Sequence, residues 1–185
     1  MSETDEIKIL GFTGQCRVTD AAGLRRALSA GLSEMKTLLG ARMTAMCGAA
    51  PGADLVFLRA CVELRIPAIV ILPSPVANLA ERFPDKVEWK LAQDLMGVAL
   101  ARYVAPGRIT PHLLDWADAL LFAGGENGDA AKEARDLGIP SRIIEPEGFG
   151  ARWGVALDAP RSARHGFGTR ADLLDFLDAR FGYTA

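Results

Sequence analysis

Histidine and cysteine are scarce, with two and three copies in 185 residues. Neither His112 nor His165 pairs with another ligand at zinc-like spacing, so no metal centre is expected. Cys16, Cys47 and Cys61 are odd in number, which points to reduced thiols in a reducing compartment rather than a disulfide framework. Excess charge of either sign is also lacking. A formal net charge of −2 argues against a domain that holds nucleic acid by bulk electrostatics. No apolar run reaches the roughly 20 residues needed to cross a bilayer. The acidic start MSETDEIK has no secretory h-region, and a cytoplasmic address is the expectation. A nucleophile elbow, G-x-S-x-G, and the full G-x-G-x-x-G spacing of NAD-binding turns are both missing. No repeat, heptad or low-complexity tract is visible.

What is there is a recurrent design. Four segments run apolar, stop at a turn and then enter a helical stretch: IKILGFTG from Ile7, MTAMCGAAPGAD from Met43, PAIVILPSP from Pro67 and ALLFAGGENGDAAKEA from Ala119. Continuous rather than alternating hydrophobicity marks a strand covered on both faces, as in a parallel sheet. Glycine at the exit permits a tight turn and close approach of a ligand to the backbone. The helix that follows aims unpaired N–H groups at the same place.

Strands are expected at about 7 to 12, 43 to 47, 68 to 72, 119 to 122 and 140 to 144. Helices are expected at about 21 to 38 with Asp20 as N-cap, at 52 to 65 and at 129 to 137. A helical region from Val76 to Ala101 is broken at Phe83-Pro84, and Thr110-Pro111 reads as N-cap plus first helical residue. Residues 145 to 168 read as irregular, with a strand around Trp153 to Leu157 an option, and residues 169 to 181 as a last capped amphipathic helix. With 50% apolar and 24% charged residues, one domain with a substantial core follows. Alternating strands and helices predict a single Rossmann-like, three-layer α/β domain with a mainly parallel sheet of five or more strands.

Several glycine turns on one sheet edge make an anion-binding crevice. In the first turn Gly11 and Gly14 permit the exit, Thr13 offers a hydroxyl and Arg17 can neutralise an anion; a plain βα turn is the alternative. The second turn, from Gly48 to Gly52, contains only small residues and proline, and Asp54 follows in the first turn of its helix. Asp54 either hydrogen-bonds a ribose hydroxyl or serves the helix dipole and ties down the loop. The fourth turn, Gly124, Gly125, Glu126, Asn127, Gly128, is either a phosphate cradle or a surface loop, and Glu126 and Asp129 oppose an anion there. The basic run Arg161 to Arg164 is a solvated loop or a lid.

GFTGQCR, GAAPGAD, ILPSP and ENGDAAKEARDLGIP together resemble the SLOG superfamily. That group unites the Lonely Guy (LOG) phosphoribohydrolases, the Rossmann-like domain of DNA-processing protein A and standalone nucleotide-sensor domains. The resemblance covers about residues 7 to 144 and is closest to the standalone branch, in which G-x-T-G-H-R, a G-A-D turn, a strand ending in L-P and a G-G-T turn follow in this order. Gln15-Cys16-Arg17 replaces the His-Arg of that pattern, and Asn127-Gly128-Asp129 replaces Gly-Gly-Thr. With Ala123 at the proline of the phosphoribohydrolase motif P-G-G-x-G-T-x-x-E, the glutamate position falls on Ala131. Glu133 lies two residues on, roughly 200° around a helix.

The resemblance implies a nucleotide or ADP-ribose-like phosphorylated ligand held near Gly14, Gly52 and Gly128, with Thr13, Arg17 and Asp54 fixing its orientation. It also implies self-association. No obligatory cofactor is expected. Two alternatives stand beside binding. One is a LOG-type nucleotide-cleaving hydrolase using Glu133 or Asp129. The other is single-stranded DNA binding, for which the basic excess and aromatic platform are missing.

Overall fold

The computed structural model describes residues 7–149 except 41, 106, 125–128 and 146–147. Seven strands form one sheet: β1 (Lys8–Gly14), β2 (Met43–Cys47), β3 (Ala68–Leu72), β4 (Ala101–Val104), β5 (Ala119–Ala123), β6 (Ser141–Glu145) and β7 (Gly148–Phe149). Their order is β4-β3-β2-β1-β5-β6-β7. The first six strands are parallel, and β7 runs antiparallel to β6. The fold is thus the three-layer α/β arrangement expected from the alternation of strands and helices.

Helices α1 (Ala21–Leu39), α2 (Ala53–Glu63) and α3 (Lys86–Val98) cover one face, and α4 (Thr110–Trp116) and α5 (Asp129–Asp136) the other. Strand alternation divides the core between them. Leu10 and Phe12 face Leu28, Leu32, Met35 and Phe57, while Ile9, Met46 and Ile71 belong with Leu113, Trp116 and Ala134. β2, β3 and β5 are buried throughout, which is why they read as unbroken apolar runs. Phe12 and Phe57 stack with ring centroids 4.2 Å apart and planes 3° from parallel, pinning α2 to β1.

Asp20 caps α1 as expected, its Oδ1 accepting from the Gly23 amide at 2.7 Å. Phe83 is extended before Pro84, where the helical region was expected to break, and Asp85 caps α3. Three expectations are corrected. The stretch ending at Ala101 is not helical to its end: α3 stops at Val98, and Ala101–Val104 forms the edge strand β4. Its Arg102, Tyr103 and Val104 are exposed, so it lacks the signature of a covered strand. Thr110 is the first residue of α4 rather than its N-cap, a position held by Ile109. Finally, Gly148–Phe149 pairs with β6 inside a stretch read as irregular. The segment Trp153 to Leu157, the run Arg161 to Arg164, His165 and the helix expected at 169 to 181 lie outside the described residues.

Gly14 shows how tightly the layers meet. A Cβ there would lie 2.5 Å from Cβ of Ala53 and 3.0 Å from Cβ of Ala123. We expect Gly14→Ala to cost about 1–3 kcal/mol in urea unfolding, because α2 must move off the sheet. Gly97→Ala, on an exposed position of α3 with nothing within 4 Å of the new Cβ, should instead gain about 0.5–1 kcal/mol.

Candidate functional site

Parallel pairing places the exits of β1 to β6 at one edge of the sheet. The chain builds outward from β1 to β4 and then crosses to β5 on the other side of β1, so the topological switch point lies between β1 and β5. Among the described residues the recess there is narrow, about 90 Å³, between Gln15, Arg17, Asp20, Ala53 and Gly124. The Gln15 side chain fills the space over Gly124, whose φ is +103°.

Two larger clefts open beside it on the same edge. The first, about 510 Å³, is walled by Cys16 after β1, Ala49–Pro51 after β2, Pro73 after β3 and Gly107–Thr110 after β4. Leu72, Leu79, Phe83 and Ile109 make its apolar surface, and Arg82 and Arg108 bring positive charge. The second, about 580 Å³, lies between α1, α2 and α3. It is lined by Arg17, Arg25, Arg59, Glu88 and Gly52, with Leu55, Val56 and Leu91 beneath. Cys16 borders both clefts.

The ridge between the clefts is built from backbone. Gly52 has φ +91°, and a Cβ on it would lie 2.5 Å from the Cys16 carbonyl oxygen and 2.8 Å from that of Gln15. Only glycine fits that approach. It lets the Ala53 amide donate to the Gln15 carbonyl at 3.0 Å. The neighbouring amides are also used: Gly52 donates to Oε1 of Glu88 at 3.1 Å, and Ala50 to Oδ2 of Asp54 at 3.1 Å.

The residues singled out in the sequence sort by position. Gly11 lies within β1, where a Cβ would meet Leu120 of β5 and Ala117 just after α4, so its smallness serves packing. Gly14 packs against Ala53. Thr13 is half-buried near the end of β1, and Arg17 is exposed over the second cleft and the narrow recess. Gly48 is buried with Asp54 and Ile109 against it. Asp129 and Glu133 are exposed on α5, whereas Ala131 is buried. Gly125 and Gly128 lie outside the described residues. Arg82, Arg108, Arg25, Arg59 and Glu88 are the charged residues that sequence reasoning missed.

Asp54 is the most perturbed carboxylate of the edge. It is 6% exposed, and burial raises its pKa from the usual 3.8 to about 7 despite the opposing hydrogen bond from the Ala50 amide. The same burial, with Asp54 and Cys61 adding to it, pushes the Cys47 thiol well above its ordinary range. A carboxyl that changes charge near neutrality beneath a cleft wall can hold or release a proton there. His112 is not part of this edge chemistry. It packs edge-on against Tyr103 and tilted on Trp116, and burial lowers its pKa despite Asp115.

Among the described residues no three His, Cys, Asp or Glu side chains converge as a metal site, and no helix is long and apolar enough to cross a membrane. The chain matches no protein-family model, no curated protein and no solved structure.

The sign of the Asp54 effect on stability follows from its raised pKa. Folded protein keeps a proton that the unfolded chain releases above about pH 4, so stability falls as pH rises and levels off above about pH 7. Between pH 5 and pH 8 this residue alone should remove about 2–3 kcal/mol. We expect Asp54→Asn, which keeps an acceptor for the Ala50 amide, to lose that contribution. Urea midpoints of both proteins at the two pH values check it.

Proposed function

We propose that this chain binds a nucleotide or nucleotide-derived phosphorylated ligand at the C-terminal edge of its parallel sheet. The observation that carries the reading is the first cleft, where the exits of four successive strands enclose about 510 Å³ with apolar walls and two arginines. That volume suits a small-molecule ligand. Leu79, Phe83 and Ile109 offer surface for a base, and the guanidinium groups of Arg82 and Arg108 can take a phosphate bidentately. Asp54, tied to the Ala50 amide beneath, holds the Ala49–Pro51 wall in place. The order of the turns along the chain supports placing the protein beside the standalone nucleotide-sensor branch of the SLOG superfamily, and membership is part of the same proposal.

Binding is favoured over nucleotide cleavage. A general acid or base must reach the scissile bond, and the two carboxylates available for the hydrolase motif, Asp129 and Glu133, are exposed on α5 while Ala131 faces the core.

A thermal-shift panel of adenine and guanine mononucleotides, diphosphates and ADP-ribose tests the reading. A ligand present at 100 times its dissociation constant should add about 2.7 kcal/mol of apparent stability. Arg82→Ala and Arg108→Ala should each weaken binding by about 1.5–3 kcal/mol. Their ligand-free melting temperatures should stay unchanged, since both residues are exposed. A panel without any shift, or a shift retained when both arginines are removed, overturns it.

A further inference from the structure

The second cleft has a different character. Three arginines line it, Arg17 after β1, Arg25 on α1 and Arg59 on α2. Arg25 and Arg59 share one counterion, with Glu63 Oε2 3.4 Å from Arg25 Nε and Oε1 3.3 Å from Arg59 Nε. All three of these side chains are more than a third exposed, so each pair contributes only about 0.2–1 kcal/mol and gives way readily to a stronger acceptor.

An anionic group already sits in this cleft. Glu88 extends from the first turn of α3 to the start of α2, where it accepts from the Gly52 amide. It is a carboxylate seated at a helix N-terminus, in a cleft lined by arginines. Glu88 also has a second place to go. Asp85 caps α3 and accepts from the Glu88 amide at 2.8 Å, and Asp-x-x-Glu is capping-box spacing, in which the glutamate turns back to the amide of the cap residue. Withdrawing from Gly52 therefore exchanges one backbone donor for another.

We propose that the cleft between α1, α2 and α3 is a phosphoryl-binding site for a pyrophosphate or diphosphate-bearing small molecule, with Glu88 as its resident internal occupant. The incoming group takes the Gly52 amide, Glu88 returns to its own helix, and Arg17, Arg25 and Arg59 turn onto the phosphoryl oxygens. The inference stands apart from the nucleotide reading of the first cleft, because its probe carries no base.

The test titrates inorganic pyrophosphate into protein carrying Arg82→Ala and Arg108→Ala, which disables the first cleft. It is followed by calorimetry and by the Gly52 amide resonance in a nitrogen–proton correlation spectrum. Saturable binding that shifts the Gly52 resonance is expected. Adding Glu88→Gln, which keeps an acceptor for Gly52 but removes the charge, should tighten binding about fivefold or more, as a competing charge is lost. Adding Arg25→Gln with Arg59→Gln should weaken it about tenfold or more. Citrate, a tricarboxylate of about the same charge near neutrality, at the same concentration separates phosphoryl recognition from general anion attraction, and equal affinity for the two overturns the proposal. So does an absence of pyrophosphate binding in the Glu88→Gln protein, or binding that the arginine changes leave unmoved. Failure of the nucleotide panel leaves all of these readouts intact.

Discussion

The Ala53 amide reaches the Gln15 carbonyl at 3.0 Å, and the arrangement of the sheet edge that carries both clefts depends on that cross-turn bond. It joins the turn after β1 to the first residue of α2, and three small residues make it sterically permissible. Gly14 allows Ala53 to close on the strand, Gly52 allows the turn to pass the Gln15 and Cys16 carbonyls, and Ala53 itself presents only a methyl group. Below the bond, the Phe12–Phe57 stack fixes how α2 lies on the sheet. The two turns form a single ridge, and the space on either side becomes the two clefts. Bulk added at any of these positions would part the turns and merge or collapse the clefts.

The same ridge settles what the start of α2 offers to a ligand. Helix N-termini attract anions because their first amides lack intrahelical partners. Here the amides of Ala50, Gly52 and Ala53 are used by Asp54, Glu88 and the Gln15 carbonyl. The partners are not equivalent. Gln15 is backbone and holds the fold, Asp54 is buried, and half-buried Glu88 comes from another helix. Asp54 carries the cost of its position in its pKa of about 7, and its hydrogen bond to Ala50 offsets part of the desolvation. Glu88 is the partner that can leave without disturbing the core. On the reading proposed here, an anion on this edge would meet exchangeable side chains rather than an open helix end.

The fold was legible where burial is complete. Met43–Cys47, Ala68–Leu72 and Ala119–Ala123 announce themselves because apolar residues fill both faces, and Asp20 and the Phe83-Pro84 break carry local chemistry that needs no tertiary context. β4 was not legible because an edge strand has a partner on one side only, and Arg102, Tyr103 and Val104 follow no covered-strand pattern. At the candidate site, the glycine turns after β1, β2 and β5 share one edge of the sheet, as their pattern suggested. Their individual roles could not be read, since sequence does not show that Gly11 and Gly14 stay in the strand while Gly52 turns with φ +91°, nor what packs against each. The arginines were invisible for another reason. Arg82, Arg108, Arg25 and Arg59 belong to four separate stretches of the chain, and only the sheet order brings them to two clefts. The one local signal was the Asp85-x-x-Glu88 spacing, which marks a capping glutamate but not that its carboxylate reaches Gly52.

The charge distribution sets the terms on which the proposed anion binding would work. A net charge of −2 produces no long-range field that draws in a phosphate, and at physiological salt such fields fade within about 8 Å. The proposed recognition would then rest on short-range contacts, where guanidinium geometry and desolvation count for more than total charge. The clefts supply this by concentrating arginines over apolar floors: Leu72, Leu79 and Ile109 in the first, Leu55, Val56 and Leu91 in the second. An apolar floor lowers the local dielectric and strengthens each charged hydrogen bond above it. Under the same proposal it would disfavour an anion that cannot bring enough acceptor oxygens to satisfy several guanidinium groups at once. Phosphoryl groups meet that demand better than a single carboxylate, and the proposed exchange of Glu88 for such a ligand rests on this difference.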